Sequence, residues 1–322
     1  MRALVLSNML PDRAHPERGR FVRDQVAALR RLEGLEVQLH EFPPGARSLG
    51  RSARELHRRF ATSSAPGADR GGAGFDVVHS HFGLTAWPAL AVPARVRALT
   101  VHGTDLRHPR TRLATAAVLP LIDLLAAASP ALAAEIPGRS ARRRALVLPC
   151  GVDLGRFCPI PRVQARRELG LDPDGPYLLF PSDPSRPSKR HDRALAVARA
   201  SGAELLSLGG VEPGRVPLWV NAANAVVVPS EREGFGLAVL EALACDVPVL
   251  ATPVGIHPEA LAGVRGTLCA PFDLVLWRDA VAAHVGERDP RVEGRSSAER
   301  YSAARMAERV RSAWLQAVQR SG

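Results

Sequence analysis

Short apolar runs of strand length, each followed by a segment with apolar residues at helical spacing, recur along the whole chain. This alternation constrains the fold more than any other feature. Met1–Ser7 (MRALVLS) opens the series. A loop holding Pro11, Pro16 and Gly19 leads into a helical pattern over Phe21–Leu32, and Leu35–His40 alternates as a second strand. Phe75–His79 and Arg97–Val101 read as buried strands, Leu113–Ala127 as an apolar helix, and Ala145–Pro149 closes the first half. After CPIPRV the pattern restarts: helical VQARREL, the strand Tyr177–Phe180, a Pro/Ser-rich loop and the helix Asp192–Ala200. Strands at Glu204–Leu208, Ala225–Val228 and Val247–Leu250 follow, and a last helix covers 298–319. Strands alternating with helices predict α/β architecture, with parallel sheets covered by helices on both faces. At about 150 residues per domain, 322 residues make two domains, read as 1–158 and 159–322, with no sequence repeat relating them.

Composition narrows the class. Hydrophobic residues make up 46% and charged residues 23%, which excludes a disordered or collagen-like chain. Cys150, Cys158, Cys245 and Cys269 form no CxxC, and scattered thiols fit a reducing compartment. The longest apolar stretch, Leu113–Ala134, is broken by Pro120, Asp123 and Pro130, short of the roughly 20 apolar residues of a membrane span. The N-terminus lacks the apolar core and cleavage site of a signal peptide. A cytoplasmic protein is expected, with peripheral contact at the inner membrane face. The net charge of +11 admits nucleic acid, anionic membrane or phosphorylated ligands as partners. Aromatic residues at 5%, and no RRM, KH, helix-turn-helix or zinc-finger pattern, argue against nucleic acid. Lys189 is the single lysine among 43 basic residues, which marks a place where a compact point charge suits better than a guanidinium fork. Arg47, Arg51, Arg54, Arg58 and Arg59 cluster within Pro43–Gly74, a basic helix or a mobile loop.

The most informative stretch is PSEREGFGLAVLEALACDVPVL, residues 229–250. A buried strand ends in a loop with Gly234 and Gly236, an apolar helix follows, and then another strand. In open α/β sheets ligands bind beyond the carboxyl ends of the strands, and a helix N-terminus offers N–H groups to an anion. Glu233 and Glu241 would repel a diphosphate, so they read as acceptors for sugar and ribose hydroxyls on either side of it. Ser230-x-x-Glu233 is equally a capping-box pattern. A dinucleotide fingerprint is weak here, because Val239 replaces the third glycine and the next strand ends Leu250-Ala251-Thr252 without an acid. His79 and His81, two apart on a strand, have no evident third metal ligand and read as cleft or core histidines. Asp172-Pro-Asp174 reads as a turn rather than a metal motif.

These motifs resemble the retaining GT-B glycosyltransferases of family 4. The resemblance is carried by Glu233-x7-Glu241 with PVLATPVG after it, by FDVVHSHFG (75–83), LTVHGTDL (99–106) and VLPCGVDLGRFCPI (147–160), and by the loop ending GRFVRDQVAALRR. It implies two Rossmann-like domains facing a cleft, with the last helix crossing back to the first. It also implies transfer of a hexose-type sugar from a UDP- or GDP-linked donor to a glycan or lipid-linked acceptor, with retention of configuration and no metal or other cofactor. By the same resemblance Glu233 contacts hydroxyls of the transferred sugar, and the backbone of Gly234, Phe235, Gly236 and Leu237 approaches sugar and phosphates. Glu241 holds the ribose, and Lys189 neutralises the diphosphate. The arginine that usually partners this lysine is missing; Asp183 stands near its place, so Arg186 or Arg190 substitutes. His102 lines the donor-sugar site, Asp105 orders its loop, and Gly19 lets the backbone approach acceptor and diphosphate. The leaving phosphate takes the acceptor proton, so no conventional base is assigned. The arginines from Arg47 to Arg59 fit an anionic membrane surface. A sugar-nucleotide epimerase or hydrolase on the same fold is the alternative within the class, and a basic nucleic-acid-binding protein the alternative outside it.

Overall fold

The computed structural model describes residues 1–13, 15–60 and 74–321. The chain forms two compact units. The first is built on Met1–Arg13, Arg18–Gly151 and Ala303–Gly322, and the second on Val152–Ser302 together with residues 15–17.

The first unit carries a six-stranded sheet of β1 (Arg2–Ser7), β2 (Glu36–Glu41), β3 (Phe75–His81), β4 (Ala94–Val101), β5 (Leu124–Ala127) and β6 (Leu146–Val147), in the order β2-β1-β3-β4-β5-β6. Every pair is parallel. Helix α1 (Arg20–Leu29) buries Val22, Val26 and Leu29 in the core under β1, and the terminal helix Ala303–Arg320 adds Met306, Val310 and Trp314 to the same cluster. The chain leaves this unit at Gly151 and re-enters at Ala303. A Cβ on Gly151 would stand 2.7 Å from Ala303 Cα, so only glycine allows this approach. Helix α2 (Ala46–Phe60) resolves the arginine-rich segment as a helix with Leu56 buried and all five arginines outward. Residues 61–73 of that segment lie outside the described residues.

The second unit carries β7 (Tyr177–Phe180), β8 (Glu204–Ser207), β9 (Ala225–Val228), β10 (Val249–Ala251) and β11 (Leu268–Cys269), in the order β11-β10-β9-β7-β8, again parallel. Two arginines are buried in this unit. Arg162 donates to the carbonyls of Ala223, Arg288 and Pro290, and Arg166 to those of Ala222 and Pro173 and to Asn224 Oδ1. Their charge is tolerated because carbonyl dipoles replace the lost water.

Four elements differ from the sequence reading. Leu113–Ala127 is not one helix: an α-helix stops at Val118, a short 3-10 turn spans Leu119–Leu121, and Leu124–Ala127 is β5. Pro120 lacks the N–H a helix needs, and Asp123 instead accepts from Arg97 N at 2.7 Å, which steers the chain into the sheet. A strand buried on both faces reads as a continuous apolar run, so period alone cannot tell it from a helix. The final helix is two, Arg295–Glu299 and Ala303–Arg320, broken where Val152 N bonds Tyr301 O. The strand read at Val247–Leu250 starts at Val249, because Val247 N still closes the preceding helix on Ala242 O. Finally, Ser230-x-x-Glu233 is no capping box: the helix begins at Leu237, behind Gly236 in the left-handed region at φ 104°.

Candidate active site

The topology of each sheet singles out one position. A ligand site in an open parallel sheet forms where the strand order reverses, beyond the carboxyl ends. In the second unit that point lies between β7 and β9. The loop after β7 brings Lys189, and the loop after β9 brings Glu233. The two loops are tied at three places: Glu231 N donates to Ser188 O at 2.9 Å, Arg190 pairs with Glu231 at 2.7 Å, and Lys189 Nζ lies 2.6 Å from both oxygens of Glu233. The last pair is well shielded, with side chains 16% and 9% exposed. Burial is the largest influence on Glu233 and pushes its pKa up; the charge and hydrogen bond of Lys189, with help from His257 and Ser230, overcome it and leave the carboxyl below its usual value.

Around this pair stand the other expected donor-site groups. Gly236 ends the loop with a positive φ that L side chains rarely adopt, and Leu237 opens an eight-residue helix whose first N–H groups have no intrahelical acceptor. Phe235 is buried, its ring edge-on to Tyr301, and its carbonyl accepts from Ile256 N at 2.7 Å. Glu241 sits half-buried in that helix. Of the two arginines proposed beside Lys189, Arg190 is engaged by Asp192 and Glu231, whereas Arg186 is exposed. Asp183 accepts from Ser185 N, and this bond holds its carboxyl below the usual value. Arg190 itself adopts φ 57°, one of three non-glycine residues with positive φ among the described residues.

One residue here escaped the sequence reading. His257 is fully buried; its Nδ1 donates to Thr252 O at 2.8 Å, and its Nε2 has no partner among the described residues. A Cβ on Gly236 would lie 2.4 Å from that Nε2, so the imidazole fills the space a larger residue at Gly236 would need. Burial is the main cause of its lowered pKa. A histidine six residues beyond β10 carries no periodic signal, and only the packing reveals it.

In the first unit the order reverses between β1 and β3. Gly19, after β1, takes φ 70°, and a Cβ there would meet Met9 O at 2.4 Å. β3 ends in His81 and His102 directly follows β4; their rings stack at 5.1 Å with Nδ1 of the first 2.9 Å from Nε2 of the second. Asp105, 2% exposed, accepts from the N–H groups of His102, Gly103 and Gly83 and so shapes the loop that carries His102. Burial pushes its carboxyl up against the downward pull of those bonds. His79 and His81 are both buried, and no metal-holding group of three acidic, histidine or cysteine side chains occurs among the described residues. Asp172 and Asp174 sit in a turn closed by Asp174 N on Asp172 Oδ1.

Two family profiles match the chain, one described as Glycosyltransferase Family 4 over residues 8–156 and one as Glycosyl transferases group 1 over residues 187–289. The chain belongs to the group 1, family 4 glycosyltransferases. Its two parallel-sheet domains are the GT-B fold. A protein of Actinosynnema mirum named D-inositol 3-phosphate glycosyltransferase is 33% identical over 267 residues, which is 65% of this chain and 63% of that protein. The one named so in Mycolicibacterium smegmatis is 31% identical over 274 residues, 70% of this chain and 63% of the other. This family 4 chain thus spans just under two thirds of those relatives. Among solved structures, a sucrose-phosphate synthase of Thermosynechococcus elongatus aligns with TM-score 0.69 and 19% identity over 98% of both chains. Anabaena HepE, solved with UDP and glucose, aligns with TM-score 0.67 and 15% identity over 97% of this chain and 98% of that one. No helix among the described residues of this family 4 member is long and apolar enough to cross a membrane.

Proposed function

We propose that this chain transfers a hexose-type sugar from a nucleotide diphosphate sugar to an acceptor hydroxyl, with retention of configuration and no metal. The observation that carries the reading is the Lys189–Glu233 pair at the reversal point of the second sheet, beside the glycine turn that opens the helix Leu237–Ala244. A diphosphate competes with Glu233 for the ammonium; a sugar offers hydroxyls to the carboxylate in exchange. As the nucleoside diphosphate departs, negative charge grows on its phosphates while the sugar becomes cationic. Lys189, the exposed Arg186 and the first N–H groups of the helix stabilise the phosphates. The backbone of Gly234, Phe235, Gly236 and Leu237 borders sugar and phosphates, Glu241 takes the ribose, and His102 and Gly19 serve sugar and acceptor from the first unit. The departing phosphate removes the acceptor proton on the face it leaves.

The structures of HepE with UDP and with UDP-glucose favour a uridine donor. The names of the curated relatives favour a second reading of the acceptor, a phosphorylated polyol in place of a glycan or lipid-linked sugar. A thermal-shift screen with UDP, GDP, ADP and TDP and their sugars, on the wild type and on Lys189→Ala, tests the donor. A ligand at 100 times its Kd adds about 2.7 kcal/mol to the folded state. A shift with one base that is lost in the variant is the expected result; no shift with any nucleotide overturns the reading. Transfer assays offering inositol phosphate against lipid-linked acceptors then choose between the two acceptors. The outward arginines of α2 are the proposed contact with anionic lipid. Sedimentation with phosphatidylserine vesicles should fall when Arg47, Arg51 and Arg54 become glutamine, and unchanged binding refutes that contact.

A further inference from the structure

The first unit holds a file of three histidines whose hydrogen bonds leave little freedom in where their protons sit. Trp314 Nε1, a donor only, bonds His79 Nδ1 at 3.1 Å, so His79 carries its proton on Nε2 and directs it to Thr100 Oγ1 at 2.8 Å. The His79 ring stacks on His81 at 4.8 Å and 17°, and His81 in turn on His102 at 5.1 Å and 22°. His81 is 1% exposed, while His102 is half-buried. Burial is the main cause that depresses all three, His79 and His102 to about 3, so each is neutral in the folded protein.

Two neutral imidazoles joined by one hydrogen bond have two arrangements. Either His81 Nδ1–H donates to His102 Nε2, or His102 Nε2–H donates to His81 Nδ1. The first leaves His81 Nε2 as a bare lone pair; the second puts a proton there. That nitrogen is buried and has no partner among the described residues. A buried N–H without an acceptor is the rarer defect, so the first arrangement is the more stable. The rest of the pocket holds the ring still. Phe21 and Phe82 each pack at 4.8 Å from His102, and Phe82 does so from a strained backbone at φ 72°. Strain of this kind persists only where the surroundings enforce it, and it gathers at functional sites.

We propose that His81 is a positioning residue that fixes His102 in the tautomer with its proton on Nδ1. His102 then presents a hydrogen-bond donor, not a base, to its ligand. This inference rests on the proposed function for what that ligand is, a hydroxyl or oxygen of the donor sugar; the tautomer itself does not depend on it.

The test uses the full chain with 15N-labelled histidine and long-range 1H–15N correlation, which distinguishes a protonated from a bare ring nitrogen. The wild type should show His102 with Nδ1 protonated and Nε2 bare. His81→Leu, of similar volume but with no donor, should shift His102 toward the Nε2–H form. His81→Asn, whose amide nitrogen falls near the place of Nδ1, should restore the original state. A wild-type spectrum with the proton on His102 Nε2 overturns the proposal whether or not the variants fold, and so does an unchanged spectrum in His81→Leu. In parallel, His81→Leu should lower affinity for UDP-glucose relative to UDP by about tenfold, the contribution of one hydrogen bond, and His81→Asn should recover it. An equal loss for both ligands refutes the positioning role. If the wild type binds neither ligand, the donor assignment fails, and the spectrum still decides the tautomer.

Discussion

Replacing Lys189 with methionine keeps most of the side-chain volume and removes the charge that answers Glu233. The carboxylate, 9% exposed at its side chain, then faces the cost of burial without its ion-pair partner, while His257 and Ser230 still act in its favour. Breaking a buried pair costs about 3–5 kcal/mol, but protonation of the glutamate sets a ceiling. The ordinary carboxyl value is 4.5, so taking up a proton at pH 7 costs about 1.4 kcal/mol for each of roughly 2.5 pH units, near 3.5 kcal/mol in all. At pH 5 the same ceiling falls to roughly 0.7 kcal/mol. The sign runs one way in each protein. In the wild type the folded carboxyl titrates below its unfolded value, so its contribution is full above 4.5 and is lost as pH falls through the folded value. In Lys189→Met the penalty is present above 4.5 and is relieved as acid protonates Glu233. Urea titrations without nucleotide should therefore show a loss of about 3 kcal/mol at pH 7 that shrinks to about 1 kcal/mol at pH 5. Adding Glu233→Gln should recover most of the loss at pH 7. An equal loss at both pH values would refute the reasoning and assign the effect to packing of the lysine stem.

Gly236→Ala forces a Cβ to within 2.4 Å of His257 Nε2 at a backbone φ of 104°. It should cost about 1–3 kcal/mol in a denaturation experiment, and His257→Ala in the same chain should recover the steric part but not the conformational one. Asp105→Ala removes the acceptor of three backbone N–H groups in a buried loop and should cost about 3 kcal/mol, with Asp105→Asn recovering roughly half; denaturant midpoints decide, and a loss under 1 kcal/mol would contradict the hub role. The buried neutral histidines 79, 81 and 102 have folded values below the ordinary 6.5. The unfolded chain therefore binds protons first, and stability should fall as pH drops below 6.5, by up to about 1.4 kcal/mol per pH unit for each histidine. His79→Gln should flatten that slope measurably.

The sequence alone determined the class of fold and pointed to the segments that bear the candidate site. Apolar runs of strand length alternating with helix-period segments leave a parallel α/β layering as the economical way to bury both faces of each strand. PSEREGFG after AVVV placed Glu233 and the glycine turn at a strand end, where the structure also has them. Local pattern failed where neighbours decide the state. LLAA became a strand because Asp123 and Pro120 stop the helix and the sheet has a place for it. Ser230-x-x-Glu233 gave way as a cap because the helix starts only at Leu237, and Glu233 instead meets Lys189, 44 positions away. His257 against Gly236, the reach of Asp105 from its own loop to Gly83 N, and the stacked histidines at the ends of β3 and β4 have no signature in the chain. Each joins residues from separate loops or strands, and such contacts exist only once the strands are ordered side by side. What a residue can do chemically is written in its type; which partner it meets, and so its charge state and tautomer, follows from strand order and packing.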